Sequence, residues 1–217
     1  MQPITLYWRP QVPNPSKIVI IFEELGIPYV GKFIEHADLK QPAFEAINPN
    51  GRVPAIHDPN TDLTLWESGA IVSYLIEKYD TEHKLSYVTE PEKYHVLQWQ
   101  HYQSTGQGPY WGQAAWFQLF HQEPLESAKK RYVDEAIRIV KVLDKWLAGR
   151  DWLVGDKCTY ADLAYVSWNA AIPLFMQGRS EWNMDDYPNF KRWNEAMMGR
   201  ASVMKALSMA KEEDVKG

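Results

Sequence analysis

Two short stretches in the first third of the chain have the residue types and spacing for peptide recognition. Residues 48–56 read NPNGRVPAI, a turn followed by an extended segment whose Val53-Pro54 bond is a candidate cis peptide. Such a bond would turn the backbone N–H and C=O of Val53 outward, where they could pair with an extended peptide. Further along, Glu67-Ser68 opens an amphipathic helix, whose N–H groups, hydroxyl and dipole favour a carboxylate, while the Glu67 side chain can hold an ammonium. Together these groups predict a site for a γ-glutamyl peptide.

The pattern N-P-x-G-x-V-P-x-I followed by E-S-x-A-I resembles the thioredoxin-fold half of a cytosolic glutathione transferase, and the resemblance extends over nearly the whole chain. Within that family the sequence is most similar to the fungal Ure2p-like class. The similar motifs are Pro13-Asn14, residues 66–71 (WESGAI) and residues 152–157 (WLVGDK). The resemblance implies glutathione as a co-substrate, no permanently bound cofactor, a role in detoxification and a homodimer. A symmetric dimer is also the commonest oligomer in general.

Three residues compete for the role of activating the glutathione thiol. A free cysteinyl thiol has a pKa of about 8.5, and lowering it by about two units requires roughly 2.7 kcal/mol, which one charge-assisted hydrogen bond could supply. Asn14 precedes Pro15, where the first helix is predicted to begin, and its amide could point a donor at the sulfur; a plain N-cap is the alternative. Ser16 is a second candidate, with an exposed helical serine as its alternative. Tyr7 resembles the catalytic tyrosine of other classes, whereas in the Ure2p-like alignment an aromatic residue at this position is part of the pocket wall. The spacing from Tyr7 to Pro13-Asn14 favours the Ure2p-like alignment, in which the resemblance implies an Asn at the thiol, and we therefore rank Asn14 first.

Other ligand contacts are predicted from the position of residues near Val53 and from the resemblance, without a matched motif. Arg52 precedes Val53 and by resemblance helps to position the peptide backbone, unless it is simply solvated. Lys40 or Gln41, in the loop before the second helix, is expected to meet the glycyl carboxylate. The hydrophobic substrate pocket is predicted to be lined by aromatic and small residues that suit planar, apolar ligands: Tyr7, Trp8, Gln11, Gly106, Tyr110, Trp111 and Phe175.

The elements that must position these residues follow a thioredoxin-like order, β-α-β-α-β-β-α, over residues 1–80. Strands are expected at residues 4–8, 29–34, 52–57 and 63–66, with helices at 15–25 and 67–78. A polar linker follows at 81–90, and residues 91–217 have helical periodicity throughout, which predicts a second, all-helical bundle domain. The fold class is therefore an α/β domain followed by an all-α domain, the glutathione transferase fold.

Three sequence patterns in the second domain predict particular helices. A buried helical stripe is predicted at Tyr132, Ala136, Ile139, Val140, Leu143, Trp146 and Leu147. Thr159 and Asp162 form a capping box that starts a further helix, a structural role. The glycines and proline of residues 106–109 predict a bend in a long helix, and Pro188 predicts the start of another.

Composition limits the classes of partner. The 217 residues suffice for two domains, and the net charge of −5 without a basic tract argues against nucleic acid and membrane as partners. The N-terminus has no basic flank and no apolar signal core, which predicts a soluble, cytoplasmic protein. The single cysteine, Cys158, is expected to be buried in the core, and no metal site is predicted.

The leading hypothesis is an enzyme that conjugates glutathione to hydrophobic, aromatic electrophiles, or reduces hydroperoxides with it, through a hydrogen-bonded thiolate. The alternative is a ligandin that binds glutathione and aromatic small molecules such as polyphenols with little or no turnover. A regulatory module of the same fold is a third reading, which the absence of an Asn-rich extension or basic tail disfavours.

Overall fold

In the computed structural model, which describes residues 1–210, a four-stranded mixed sheet organises the first part of the chain. The strands lie in the order β2-β1-β3-β4, where β1 is parallel to β2 and β3 is antiparallel to both of its neighbours. Their bounds are β1 Ile4–Trp8, β2 Tyr29–Phe33, β3 Ala55–Asp58 and β4 Leu63–Trp66. The third strand begins three residues later than predicted, because Pro54 has no N–H to donate to a ladder.

Three helices follow the strands of this sheet: α1 Pro13–Leu25, α2 Pro42–Glu45 and α3 Ser68–Tyr79. The prediction that α1 begins at Pro15 is wrong, since its first residue is Pro13 and extended Val12 is the cap residue. Either proline suits a first helical turn, where a missing N–H costs nothing, and the sequence does not distinguish them. The helix ends as predicted at Gly26, whose φ of 65° provides a left-handed cap.

Residues Leu85–Gly199 form a second, helical unit. Its helices are α4 Glu92–Tyr102, α5 Gly108–Ala115, α6 Glu126–Trp146, α7 Tyr160–Asn169, α8 Ile172–Met176 and α9 Pro188–Met198. The predicted stripe on α6 is confirmed in its central part, because Ala136, Ile139, Val140 and Leu143 are fully buried. A π-helical turn at Gln103–Gln107 joins α4 to α5, and the bend predicted at residues 106–109 stays a prediction.

The capping box at the start of α7 is present. The buried Asp162 carboxylate accepts hydrogen bonds from the backbone N–H of Leu153 (2.8 Å), the backbone N–H of Thr159 (2.8 Å) and the indole N–H of Trp193 (3.0 Å). Burial raises the pKa of Asp162, and these hydrogen bonds oppose that shift. One side chain therefore ties the loop before α7, the start of α7 and the middle of α9 together. Cys158 beside it is buried, as predicted.

The last helix, α10 Ala201–Met209, belongs with the first unit, which contains Met1–Lys84 and the described residues from Arg200 onward. The Arg200 guanidinium donates from Nε and Nη2 to the two carboxylate oxygens of Glu24, at 2.7 Å each. The predicted division had placed this helix in the second domain, because a contact between residues 176 positions apart leaves no local pattern. Residues 211–217 of that predicted domain lie outside the described part. Within residues 1–210 no helix is both long and apolar enough to cross a membrane.

Candidate functional site

The register of the sheet brings the two predicted binding motifs together. Ala55 pairs with Trp66 across β3 and β4, so the next residues outward, Pro54 and Glu67, lie at the same end of the ladder. The Val53-Pro54 peptide bond is cis, as predicted. On the other side of β3, Ala55 pairs with Tyr7, near the carboxyl end of β1. A single end of the sheet therefore presents Tyr7, the Val53-Pro54 segment and the start of α3.

Asn48 fixes the turn that leads into Val53. Its side-chain oxygen accepts from the N–H of Asn50 at 2.9 Å, and its amide donates to the carbonyl of Arg52 at 2.5 Å. The N–H of Gly51 donates to the Asn48 carbonyl at 2.8 Å. Asn48 itself is buried, with 2% of its surface exposed, so its side chain bonds the turn from the inner side. Sequence reasoning treated this residue only as part of a turn, although the tendency of Asn to bond its own backbone two residues on was a usable signal.

Glu67 adopts an unusual backbone conformation at the start of α3. Its φ of 72° and ψ of 114° are rare for a residue other than glycine, and such strain is found mainly at functional sites. Its carbonyl accepts from the N–H of Ile71 at 2.9 Å, so Glu67 is the cap residue and Ser68 the first helical one. The Glu67 side chain is exposed, whereas Ser68 is buried. A ligand can therefore reach the carboxylate with its ammonium while its own carboxylate approaches the helix start.

Val53 lies in an apolar cluster with Ile34 and Phe44, and Tyr7 and Val12 pack against that cluster. The rings of Tyr7 and Phe44 meet edge to face with their centres 6.2 Å apart. The structure thus places Tyr7 and the residue just before α1 against the same cluster as the Val53 side chain. A sulfur held by the Val53 backbone would have apolar surroundings on this side.

The two α1 residues predicted to contact the thiol, Asn14 and Ser16, differ in their burial. Asn14 is half-buried in the first turn of the helix, as its second residue, so the alternative of a plain N-cap is wrong. Ser16 is 5% exposed, which excludes the alternative of an exposed helical serine. Whether Asn14, Ser16 or Tyr7 reaches the thiol stays a prediction.

The residues predicted around the peptide have distinct placements. The Lys40 ammonium donates to the carbonyl of Asn50 at 2.6 Å, which places it at the turn before Val53. The amide of Gln41 instead turns back to the carbonyl of Ala37 at 3.3 Å. The Arg52 side chain is exposed. Which of Lys40 and Gln41 meets the glycyl carboxylate stays a prediction.

The residues predicted to line a hydrophobic pocket are divided between the two units. Tyr7, Trp8 and Gln11 belong to the first unit, and Gly106, Tyr110, Trp111 and Phe175 to the second. Trp111 and Phe175 are fully buried against each other, with ring centres 5.5 Å apart, so they contribute to the core of their unit. Their role in a shared pocket stays a prediction.

Sequence reasoning missed Lys17. This lysine on α1 is 4% exposed, and its ammonium donates to the Ser68 hydroxyl at 3.4 Å. Burial lowers the pKa of Lys17 to about 7, and the negative charge of Glu67 partly opposes that shift. A usable signal was present in the sequence, because Lys17 directly precedes the apolar run of residues 18–22 (IVIIF), and a lysine buried in such a helix needs a polar partner.

A cis-proline segment set beside a helix start on a mixed sheet is an arrangement suited to an extended peptide, and it lies here on a thioredoxin-like unit in a chain that also contains a helical unit. The chain matches the N-terminal domain of glutathione S-transferases over residues 13–78 and their C-terminal domain over residues 109–201. It belongs to the glutathione transferase family and to the Ure2p-like class within it.

Individual relatives agree with this assignment. The glutathione S-transferase-like protein gedE of Aspergillus terreus is 48% identical over 210 residues, which cover 93% of each chain. Among solved structures, the glutathione transferase URE2P8 from Phanerochaete chrysosporium, determined with oxidized glutathione, has a TM-score of 0.90 and 37% identity over 97% of this chain and 96% of its own. Ure2p5 from the same organism, cocrystallized with 1-(S-glutathionyl)-2,4-dinitrobenzene, has a TM-score of 0.88 and 36% identity over 97% and 95% of the two chains.

Proposed function

We propose that this protein is a glutathione transferase that activates the thiol of glutathione and conjugates it to hydrophobic, aromatic electrophiles. The observation that carries the proposal is the β3–β4 register, because it brings the cis Val53-Pro54 segment beside the start of α3. The solved relative that contains a glutathionyl-dinitrobenzene conjugate supports the choice of an aromatic electrophile.

Glutathione binds in this proposal as an extended peptide. The backbone of Val53 pairs with the cysteinyl residue, the N–H groups at the start of α3 and the Ser68 hydroxyl receive the γ-glutamyl carboxylate, and Glu67 holds the ammonium. Lys40, whose ammonium lies at the turn before Val53, meets the glycyl carboxylate in this proposal. The peptide is thereby fixed at both ends, and its cysteine is directed towards the start of α1.

The chemical step requires a thiolate. Asn14 donates an amide hydrogen bond to the sulfur, and the N-terminus of α1 adds a favourable dipole. The thiolate then attacks an aryl carbon, a C–S bond forms, and the leaving group, for example a halide, departs with the bonding electron pair while the thiol proton has passed to solvent. Reduction of hydroperoxides by the same thiolate is a second reaction open to this site.

The proposal also covers the location, oligomeric state and role of the protein. We propose a cytoplasmic homodimer that detoxifies aromatic compounds, as the sequence resemblance implies.

The proposal is tested by comparing two variants that separate binding from activation. Ser68→Ala removes a carboxylate donor and is expected to raise the Kd for glutathione about tenfold or more in titration calorimetry. Asn14→Ala is expected to leave that Kd within about threefold and to lower kcat for a chlorodinitrobenzene-type acceptor about tenfold or more. Asn189→Ala is the matched control, because Asn189 is also the second residue of a proline-initiated helix. A wild-type protein that binds glutathione without turning over either acceptor or peroxide would instead be a ligandin.

A further inference from the structure

Lys17 lies directly behind the proposed carboxylate pocket. It projects from α1 towards the start of α3, where its Nζ atom is 3.4 Å from Ser68 Oγ. Both side chains are buried, with 4% of Lys17 and 9% of Ser68 exposed. Burying a lysine is unfavourable unless it is paired, so a specific contact at this place needs an explanation beyond packing.

The hydrogen-bonding chemistry gives that contact a direction. In its protonated form Lys17 has three donors and no acceptor, so Ser68 Oγ accepts from it. The one hydroxyl proton of Ser68 is then directed to another group. At the first position of α3, that group can be an anion bound at the helix start.

The charges at the start of α3 also favour a ligand carboxylate beside Ser68. The exposed carboxylate of Glu67 suits the ligand ammonium, but on its own it repels the ligand carboxylate. The buried ammonium of Lys17 offsets that repulsion from behind Ser68. The pair therefore suits a ligand that carries an ammonium and a carboxylate on one carbon.

We propose that Lys17 is a positioning residue that orients the Ser68 hydroxyl towards the α-carboxylate of the γ-glutamyl group. The inference rests on the proposed function, since it assigns a residue to the same glutathione site. Lys17 makes no contact with the reacting sulfur in this account, and its effect is on recognition of one ligand group.

The test uses two glutathione analogues, each lacking one charged group. Glutaryl-cysteinyl-glycine keeps the carboxylate and lacks the ammonium, whereas γ-aminobutyryl-cysteinyl-glycine keeps the ammonium and lacks the carboxylate. In titration calorimetry with the full chain, Lys17→Met is expected to weaken glutathione and the glutaryl analogue about tenfold and to leave the aminobutyryl analogue within about twofold. Lys78→Met, at an exposed lysine on α3, is the matched control and is expected to change none of the three affinities.

A double-mutant cycle with Ser68→Ala completes the test. If Lys17 acts through Ser68, Lys17→Met has little further effect once the hydroxyl is gone. Equal weakening of all three ligands, or an undiminished effect in the Ser68→Ala background, would overturn the inference. Lys17→Leu repeats the cycle if Lys17→Met does not fold. A wild-type protein that binds no glutathione would instead contradict the proposed function itself.

Discussion

At the residue scale, Lys17 links the candidate site to the stability of the fold. Burial lowers its pKa from 10.5 to about 7, whereas in the unfolded chain the ammonium is fully hydrated. Between these two values the unfolded state binds more protons than the folded state, so stability increases with pH across this window. Below about pH 7 both states are protonated, and the full cost of burying the charge is present.

This linkage predicts a pH-dependent effect of Lys17→Met. From about pH 7 to about pH 9 the wild-type protein should gain roughly 2 to 3 kcal/mol of unfolding free energy relative to the variant, since each pH unit contributes about 1.4 kcal/mol for a full proton. Urea unfolding at both pH values measures the difference, with Lys78→Met as control. Parallel changes in the wild type and in Lys17→Met would mean that Lys17 titrates with an ordinary pKa.

At the scale of elements, the turn between α2 and β3 determines where Val53 lies. Gly51 has a φ of 57°, and a Cβ atom built on it would lie 2.5 Å from the carbonyl oxygen of Leu39 and 2.8 Å from the end of Lys40. A backbone carbonyl cannot move aside as a side chain can. The turn thus needs glycine for both its conformation and its close approach to the preceding segment.

Gly51→Ala and Gly26→Ala separate these two causes. Gly26 also has a positive φ, of 65°, but a Cβ atom there would meet nothing within 4 Å. We expect Gly26→Ala to cost about 1 kcal/mol of stability and Gly51→Ala roughly 2 to 4 kcal/mol, with weaker glutathione binding only in the latter. Unfolding curves and calorimetric titrations measure both. Equal costs with unchanged binding would show that the turn does not position Val53.

At the scale of the whole molecule, the features that sequence predicted are those encoded locally. The capping box at Thr159 and Asp162 is predictable because its two members are three residues apart. Strand β1 is predictable because its five residues form one uninterrupted segment of the sequence. The membership of α10 in the first unit could not be predicted, since it rests on contacts between residues far apart in sequence, such as the ion pairs of Glu24 with Arg200 and of Glu23 with Lys205. The contact of Lys17 with Ser68 likewise joins two helices that are distant in sequence.

Asp162 provides a test of how the second unit holds together. Asp162→Ala leaves four donors of the protein interior without their acceptor, namely the backbone N–H of Leu153, the backbone N–H and hydroxyl of Thr159, and the indole N–H of Trp193. We therefore expect it to lower the unfolding free energy by about 3 kcal/mol or more. Asp134→Ala, which removes an exposed ion pair on α6, should change it by about 0.5 kcal/mol at most. Eight of the ten tryptophans lie between residues 85 and 199, so fluorescence follows this unit. A small effect of Asp162→Ala would show that the network does not stabilise the unit.

The central claim is that this fold binds glutathione and makes its sulfur a nucleophile. The most direct test is a pH titration of the thiolate absorbance of bound glutathione in the wild type, in Asn14→Ala and in Asn189→Ala. We expect the pKa of the bound thiol to lie about two units below its free value of about 8.5 in the wild type and in Asn189→Ala, and to return most of the way in Asn14→Ala. Loss of the shift in Tyr7→Phe alone would assign the activating role to Tyr7. A bound thiol in the wild type with its free pKa would contradict the claim.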